Sequence, residues 1–136
     1  MNDCLFCKIV KGDIPALKVY EDDTVLAFLD IAPVNVGHTL IVPKAHFENC
    51  ASTPDDAMAA VMRAAKLVGA AALKVTGAHG YNVGINCGAA AGQIVMHTHV
   101  HVMPRFEGDG LRHWPKKAVP QEEMENAARG IAAALE

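Results

Sequence analysis

The sequence predicts an α+β domain: an antiparallel five-stranded sheet, one long helix and a C-terminal helix. Three observations predict it. Short β-branched and apolar segments come first, a stripe of apolar residues at three- and four-residue steps follows, and two more strand-like segments come after the stripe. The chain has 136 residues, 51% hydrophobic and 20% charged, which is enough for one domain with a real core. We expect one domain over 1–136, with its core at about 4–114 and a helical extension at 118–136.

Val19-Tyr20-Glu21 and Val25-Leu26-Ala27-Phe28-Leu29 flank Asp22-Asp23 and read as a hairpin with an acidic turn. Thr39-Leu40-Ile41-Val42 is a third strand, ended by Pro43. The long helix follows. Ser52 or Thr53 can cap it, Pro54 suits its first position, and Asp55 and Asp56 complement its dipole. Met58, Val61, Met62, Ala65, Val68 and Ala72 form the apolar stripe, and Gly77 is the stop. Tyr81 to Asn86 is a fourth strand and Gly88 to Gly92 a loop of small residues. A histidine-rich strand follows and ends at Pro104. The last helix begins near Pro120 and carries Met124, Ile131 and Leu135.

A formal charge of −3 argues against a broad nucleic-acid surface. The N-terminus Met-Asn-Asp-Cys-Leu-Phe-Cys lacks the regions of a signal peptide. No apolar run can cross a bilayer, since Arg63 and Lys66 interrupt the best one. Four cysteines without a secretory signal point to a reducing, cytoplasmic setting. Cys50 and Cys87 read as small buried apolar residues.

The most informative stretch is Val95-Met-His-Thr-His-Val-His-Val-Met103. His97, His99 and His101 alternate, so in a strand the three imidazoles line one face, roughly 6.5–7 Å apart. A helix would leave His99 on another side. Neutral histidine is a base, a nucleophile and a metal ligand near neutral pH. The loop Asn86 to Gly92 leads into this row. Alone it reads as an ordinary connection. Beside three histidines its backbone amides suit a phosphate, although it lacks the Gly-Lys-Ser/Thr of a Walker loop. Cys4-Leu-Phe-Cys7 is half of a tetrahedral zinc site, for which His46 and His97 are donors of the right type. Its competing reading is two apolar thiols at an N-terminal turn. A thioredoxin-like pair lacks the surrounding βαβ unit. His38, His79 and His113 each read as structural or surface residues. Asp30 reads as a turn residue or as a hydroxyl acceptor at a strand end. Leu5, Phe6 and Ile9 read as core or pocket wall.

Taken together, these residues resemble the histidine-triad (HIT) family. Its signature is His-x-His-x-His-x-x with mostly apolar x, and the chain reads His97-Thr-His99-Val-His101-Val-Met. The resemblance runs from about Cys4 to Trp114. It includes Ile14-Pro15, Glu21-Asp22-Asp23, Ala27 to Ile31, Gly37 to His46, and Asn86 to Gln93. It is nearer to the bacterial Hit and Hint-type nucleotide hydrolases than to galactose-phosphate uridylyltransferases. The resemblance implies a HIT-like fold, a homodimer whose sheets join across the subunit interface, and binding of an AMP-like purine nucleotide with attack at its α-phosphorus. Carried over by position, His99 is the nucleophile. Asp30 takes the ribose hydroxyls, with Ile31, Leu5, Phe6 and Ile9 around the base. Asn86, Gly92, Gln93, Ile94 and His101 surround the α-phosphate, and His38 supports the histidine cluster. The ligands of zinc-containing members correspond to Cys4, Cys7, His46 and His97, the donors already reached from chemistry.

Two departures stand out. Thr98 replaces a larger apolar residue, a mild change on the back face. Ile94 stands where many relatives have Ser or Thr, so its side chain has no hydrogen bond for phosphate or leaving group, although its amide still does. The Arg112-His113-Trp114-Pro115 tail resembles a Hint ending, after an extra segment Phe106 to Gly110. The expected reaction is attack by neutral His99 followed by hydrolysis of a nucleotidyl-histidine, acting on phosphoramidates or dinucleoside polyphosphates. The alternative is a zinc-stabilised nucleotide-binding regulatory module with little turnover. A third possibility makes the three histidines ligands of one open, catalytic zinc.

Overall fold

The computed structural model describes residues 3–136; Met1 and Asn2, included above in the N-terminal segment and in the 1–136 domain, lie outside the described residues. Ten elements follow one another. They are helix α1 (Leu5–Lys11), strands β1 (Lys18–Glu21), β2 (Val25–Leu29) and β3 (Thr39–Pro43), a 3₁₀ turn (Cys50–Ser52) and helix α2 (Asp55–Thr76). Strand β4 (Gly80–Ile85), a second 3₁₀ turn (Ala89–Ala91), β5 (Val100–Arg105) and α3 (Gln121–Ala134) complete the chain. The sheet order is β1-β2-β3-β5-β4, and every neighbouring pair is antiparallel. The α+β class, the five strands and both expected helices are all present.

Both faces of the central strands are covered, which is why β2 and β3 read as nearly unbroken apolar runs. Val25, Ala27, Ile41, Val100 and Val102 point to α2 and pack on Val61, Ala64, Ala65 and Val68. Leu26, Phe28, Leu40 and Val42 point the other way, onto Phe6 and Ile9 of α1. The period of two therefore puts His101, paired with Leu40, on the α1 face, opposite the long helix.

Four local expectations are corrected. The first concerns α1, a helix where the sequence shows only the Cys4-x-x-Cys7 pair and, in its competing reading, a turn. Its seven residues are too few for a periodic signal, yet it is well capped. Cys4 Sγ accepts from Cys7 N at 3.4 Å, and Gly12, at φ 88°, donates its N–H to Ile9 and Lys8 carbonyls. Second, neither Ser52 nor Thr53 caps α2, whose N-cap is Pro54. Ser52 closes a capping box with Asn49 on the 3₁₀ turn, and the Thr53 hydroxyl donates to Asn49 O at 2.7 Å. Third, Cys50 is only half-buried and Cys87 is exposed, because both sit in connections rather than core elements. Fourth, Met62 is 43% exposed; the buried face of α2 is instead Val61, Ala64, Ala65, Val68 and Gly69. A Cβ on Gly69 would collide with the Tyr81 ring, so this contact between α2 and β4 requires glycine.

Candidate active site and metal centre

The histidine row is not one strand. β5 begins at Val100, where it pairs with Ile41, and only His101 of the three lies within it. Pro43 has no N–H to extend the β3 ladder, and the chain turns to Phe47 instead, whose carbonyl accepts from Thr98 N at 2.8 Å. The three imidazoles are therefore not spaced as on a flat pleat. His99 and His101 have ring centroids 5.0 Å apart, while His97 turns in to α1.

That turn builds a metal centre. Cys4 and Cys7 sit at the start of α1, His46 follows β3, and His97 is fully buried. Their donor atoms all lie within 4.8 Å of one another. His97 Nδ1 is 3.4 Å from Cys4 Sγ and 3.6 Å from Cys7 Sγ. His46 Nδ1 is 3.3 Å from Cys7 Sγ and 3.2 Å from His97 Nδ1. Pro43 O can only accept, so His97 Nε2, 2.8 Å away, donates and Nδ1 turns a lone pair inward. Zinc–ligand lengths of about 2.05 Å to nitrogen and about 2.3 Å to sulfur, in a tetrahedron, put N···N at about 3.3 Å and N···S at about 3.6 Å. The four residues fit zinc. Burial and the adjacent Cys4 raise the Cys7 thiol, a cost that a divalent cation at this point removes.

Beside it lies a second cluster. His99 Nδ1 is 2.7 Å from the His97 carbonyl, which only accepts. Nδ1 therefore carries the hydrogen, and the Nε2 lone pair is free. The Phe6 edge packs on His99 at 5.0 Å between centroids, with His101 at the same distance. His38 is oriented by Val34 N, which donates to its Nδ1 at 3.1 Å. Its Nε2–H then faces His101 Nδ1 at 3.0 Å, which leaves His101 a hydrogen on Nε2. Burial, with His99 and His38 alongside, lowers the His101 pKa to about 4; burial also lowers that of His38, against the opposing pull of Asp30. His38 and His101 are thus neutral at pH 7, and the hydrogen bonds leave a free lone pair on His99 Nε2 and a free N–H on His101 Nε2. Asp30 Oδ2 lies 3.6 Å from His38 Nε2, and its Oδ1 accepts from Ala32 N. The three triad histidines do not converge as ligands of one open metal, because His97 Nδ1 belongs to the Cys4–Cys7–His46 set.

The remaining expected site residues are placed as follows. Gly88 and Gly92 both have positive φ, 94° and 95°, which lets the loop fold back sharply at each end of its 3₁₀ turn. Asn86 is half-buried, with its amide against Gly92. The Gln93 side chain, expected at the phosphate, is spent on the loop. It accepts from Gly88 N at 2.8 Å and donates to Glu48 O and Val95 O. Ile94, Ile31 and Leu5 are exposed, at 89%, 98% and 43%, while Phe6 and Ile9 are core. Thr98 does more than fill the back face: its hydroxyl meets that of Thr53 at 2.6 Å, which ties the histidine segment to the start of α2. His79 and His113 are exposed; the His79 ring accepts from Glu107 N. The groups that set the tautomers, Val34 N, Pro43 O and His97 O, are backbone and left no mark in the residue pattern.

With this geometry in hand, comparison with known proteins is decisive. The HIT domain matches residues 11–108, and the chain belongs to that family. By class it is a HIT-family hydrolase. Adenylylsulfatase HINT3 of Arabidopsis thaliana is 43% identical over 123 residues, 90% of this chain, which spans 61% of that protein. Adenosine 5'-monophosphoramidase hnt1 of Schizosaccharomyces pombe is 40% identical over 134 residues, 97% of this chain and 98% of its own. Among solved structures, SMU.412c of Streptococcus mutans superposes with a TM-score of 0.93 at 42% identity, covering all of this chain and 87% of the other. A zinc-bound histidine triad family protein of Mycobacterium smegmatis does so with 0.79 at 39%, covering 98% and 96%.

Proposed function

We propose that this HIT protein cleaves purine nucleoside phosphoramidates or dinucleoside polyphosphates at the α-phosphorus through a nucleotidyl-histidine on His99. One observation carries the reading: the His97 carbonyl holds the proton on His99 Nδ1 and leaves Nε2 as a free nucleophile beside His101. In the first step the Nε2–P bond forms and the bond from phosphorus to the leaving group breaks. An amine leaving group takes one proton from solvent water; a phosphate-type leaving group takes none. The resulting imidazolium keeps its Nδ1–H on the His97 carbonyl. His101 Nε2–H and the Asn86 to Ile94 backbone stabilise the phosphoryl oxygens as charge grows. Water then attacks phosphorus and gives up a proton to solvent, the P–Nε2 bond breaks, and His99 returns with its hydrogen on Nδ1.

Asp30 takes the ribose hydroxyls, and Leu5 and Ile31 offer exposed apolar side chains to the base, backed by Phe6 and Ile9. Gln93 acts by holding the loop. Zinc at Cys4, Cys7, His46 and His97 has four protein ligands and is structural, supplying rigidity to the segment that presents His99. Thiolate ligands need a reducing compartment, in keeping with a cytoplasmic protein. A homodimer joined at β4, the longer of the two edge strands, completes the reading.

His99→Ala abolishes turnover of an adenosine phosphoramidate while AMP binding stays measurable by calorimetry. Turnover at the wild-type rate in that variant would remove His99 from the role. The exposed Ile94, with no side-chain donor, favours a second reading: a nucleotide-binding module in which the adduct is hydrolysed slowly. Trapping the AMP–protein adduct in a single turnover and timing its release separates the two.

A further inference from the structure

Among the described residues, two apolar surfaces have no partner within the chain. The first is on α3. Met124, Ile131 and Leu135, with Ala127 and Ala128 between them, recur at three-, four- and seven-residue steps and form one stripe. All three large residues are more than half exposed, at 53%, 64% and 83%, and residues 110–136 are exposed throughout. The second is a cavity of about 530 Å³ on the α2 face of the sheet, with none of the seven histidines in its lining. Its walls are Leu67, Ala71 and Val75 of α2 on one side, and Val19, Leu29 and Val36 on the other. Leu67 and Val75 are 54% and 85% exposed, and Val36 is 78% exposed. Apolar surface of this extent on a folded chain marks an interaction site.

Charge identifies the occupant. Arg63 stands four residues before Leu67 and Lys74 seven after it, so both share its side of α2 and make a basic rim beside the groove. On α3, Glu123 and Glu125 flank the apolar stripe, with Glu122 in the same turn, and they outnumber the helix's one cation, Arg129, whose guanidinium bonds Asn126. Among the described residues, none of these five charges is in an ion pair. An acidic-edged apolar helix thus matches a basic-edged apolar groove on the same sequence. Linker 111–120 has no regular structure, and Pro115 and Pro120 favour an extended path. Ten extended residues reach about 33–36 Å, far enough to cross to a neighbouring chain.

We propose that α3 of a second copy docks in this groove, each chain lending its C-terminal helix to the other. The exchange adds to any sheet-edge dimer and depends on the homodimer reading only in needing two copies.

Disulfide trapping tests it in the full chain. Leu67→Cys and Ile131→Cys are combined in a Cys50→Ser, Cys87→Ser background, and each is also made alone. The expected result is a disulfide-linked dimer from the double variant only, reversed by reductant. A bridge within one chain, or no bridge, overturns the proposal. Ile131 is exposed, so Ile131→Asp spares the fold. Sedimentation should show self-association weakened by about tenfold or more, through loss of one buried aliphatic side chain; unchanged association overturns the proposal. A wild-type chain that sediments as a monomer overturns both this proposal and the homodimer. A dimer that persists without the bridge overturns the docking alone.

Discussion

At the residue scale, the division of labour among the histidines rests on which ring nitrogen holds the proton. Three backbone groups decide it: the Pro43 and His97 carbonyls and the Val34 amide. A measurable consequence concerns pH. The folded-state pKa of His101 is depressed to about 4, mainly by burial, whereas an unfolded histidine titrates near 6.5. Between these values the unfolded chain binds more protons, so the His101 contribution is present above about pH 6.5 and is lost as pH falls toward 4. Buried His38 adds in the same direction. Thermal midpoints should therefore drop from pH 7 to pH 4, and His101→Asn should flatten that slope. A slope identical in wild type and variant would show that the cluster does not titrate as described.

Helices and strands bring these residues together by close approach. The buried face of α2 is mostly small, Ala64, Ala65 and Gly69 among them, which lets it lie tightly on the sheet. Gly69 against Tyr81 is the extreme case. Gly69→Ala should cost about 1–3 kcal/mol, as overpacking does, measured by denaturant midpoint. A midpoint at or above wild type would mean that the ring moves aside freely. At α1, Cys4 caps the helix, contributes to the metal set and precedes Phe6, whose ring touches both His97 and His99. Cys4→Ser should lower zinc content and melting temperature together. Loss of zinc with unchanged melting would remove the structural role from the metal.

Over the whole molecule, the sheet separates two kinds of surface. The α1 face and the β5 entrance hold the donor sets; the α2 face holds the apolar groove and its basic rim. Strand order β3-β5-β4 places β5 between two partners, so the segment that enters it is held firmly where the chemistry is expected.

Much of this was legible in the residues. The short apolar runs of β2 and β3, the apolar stripe of α2 and the stop at Gly77 follow from side-chain character, period and glycine chemistry, which act locally and leave a pattern in sequence. Cys4-x-x-Cys7 with two histidines was a readable donor set because ligand chemistry depends on residue type. What the pattern lacked was decided by partners distant in sequence. Helix α1 was too short to show a period. The placement of the His97 ring depends on the carbonyl of Pro43, 54 residues away. Gln93 was assigned to phosphate by position, and only the folded loop reveals that its amide is consumed by Gly88, Glu48 and Val95. Residue types thus determined the elements and the chemical inventory, since these depend on side-chain shape and ligand character. Tertiary structure alone decided which nitrogen is free, because the fold turns each imidazole onto a backbone group that fixes its tautomer, a neighbour in sequence for His99 and a distant one for His97.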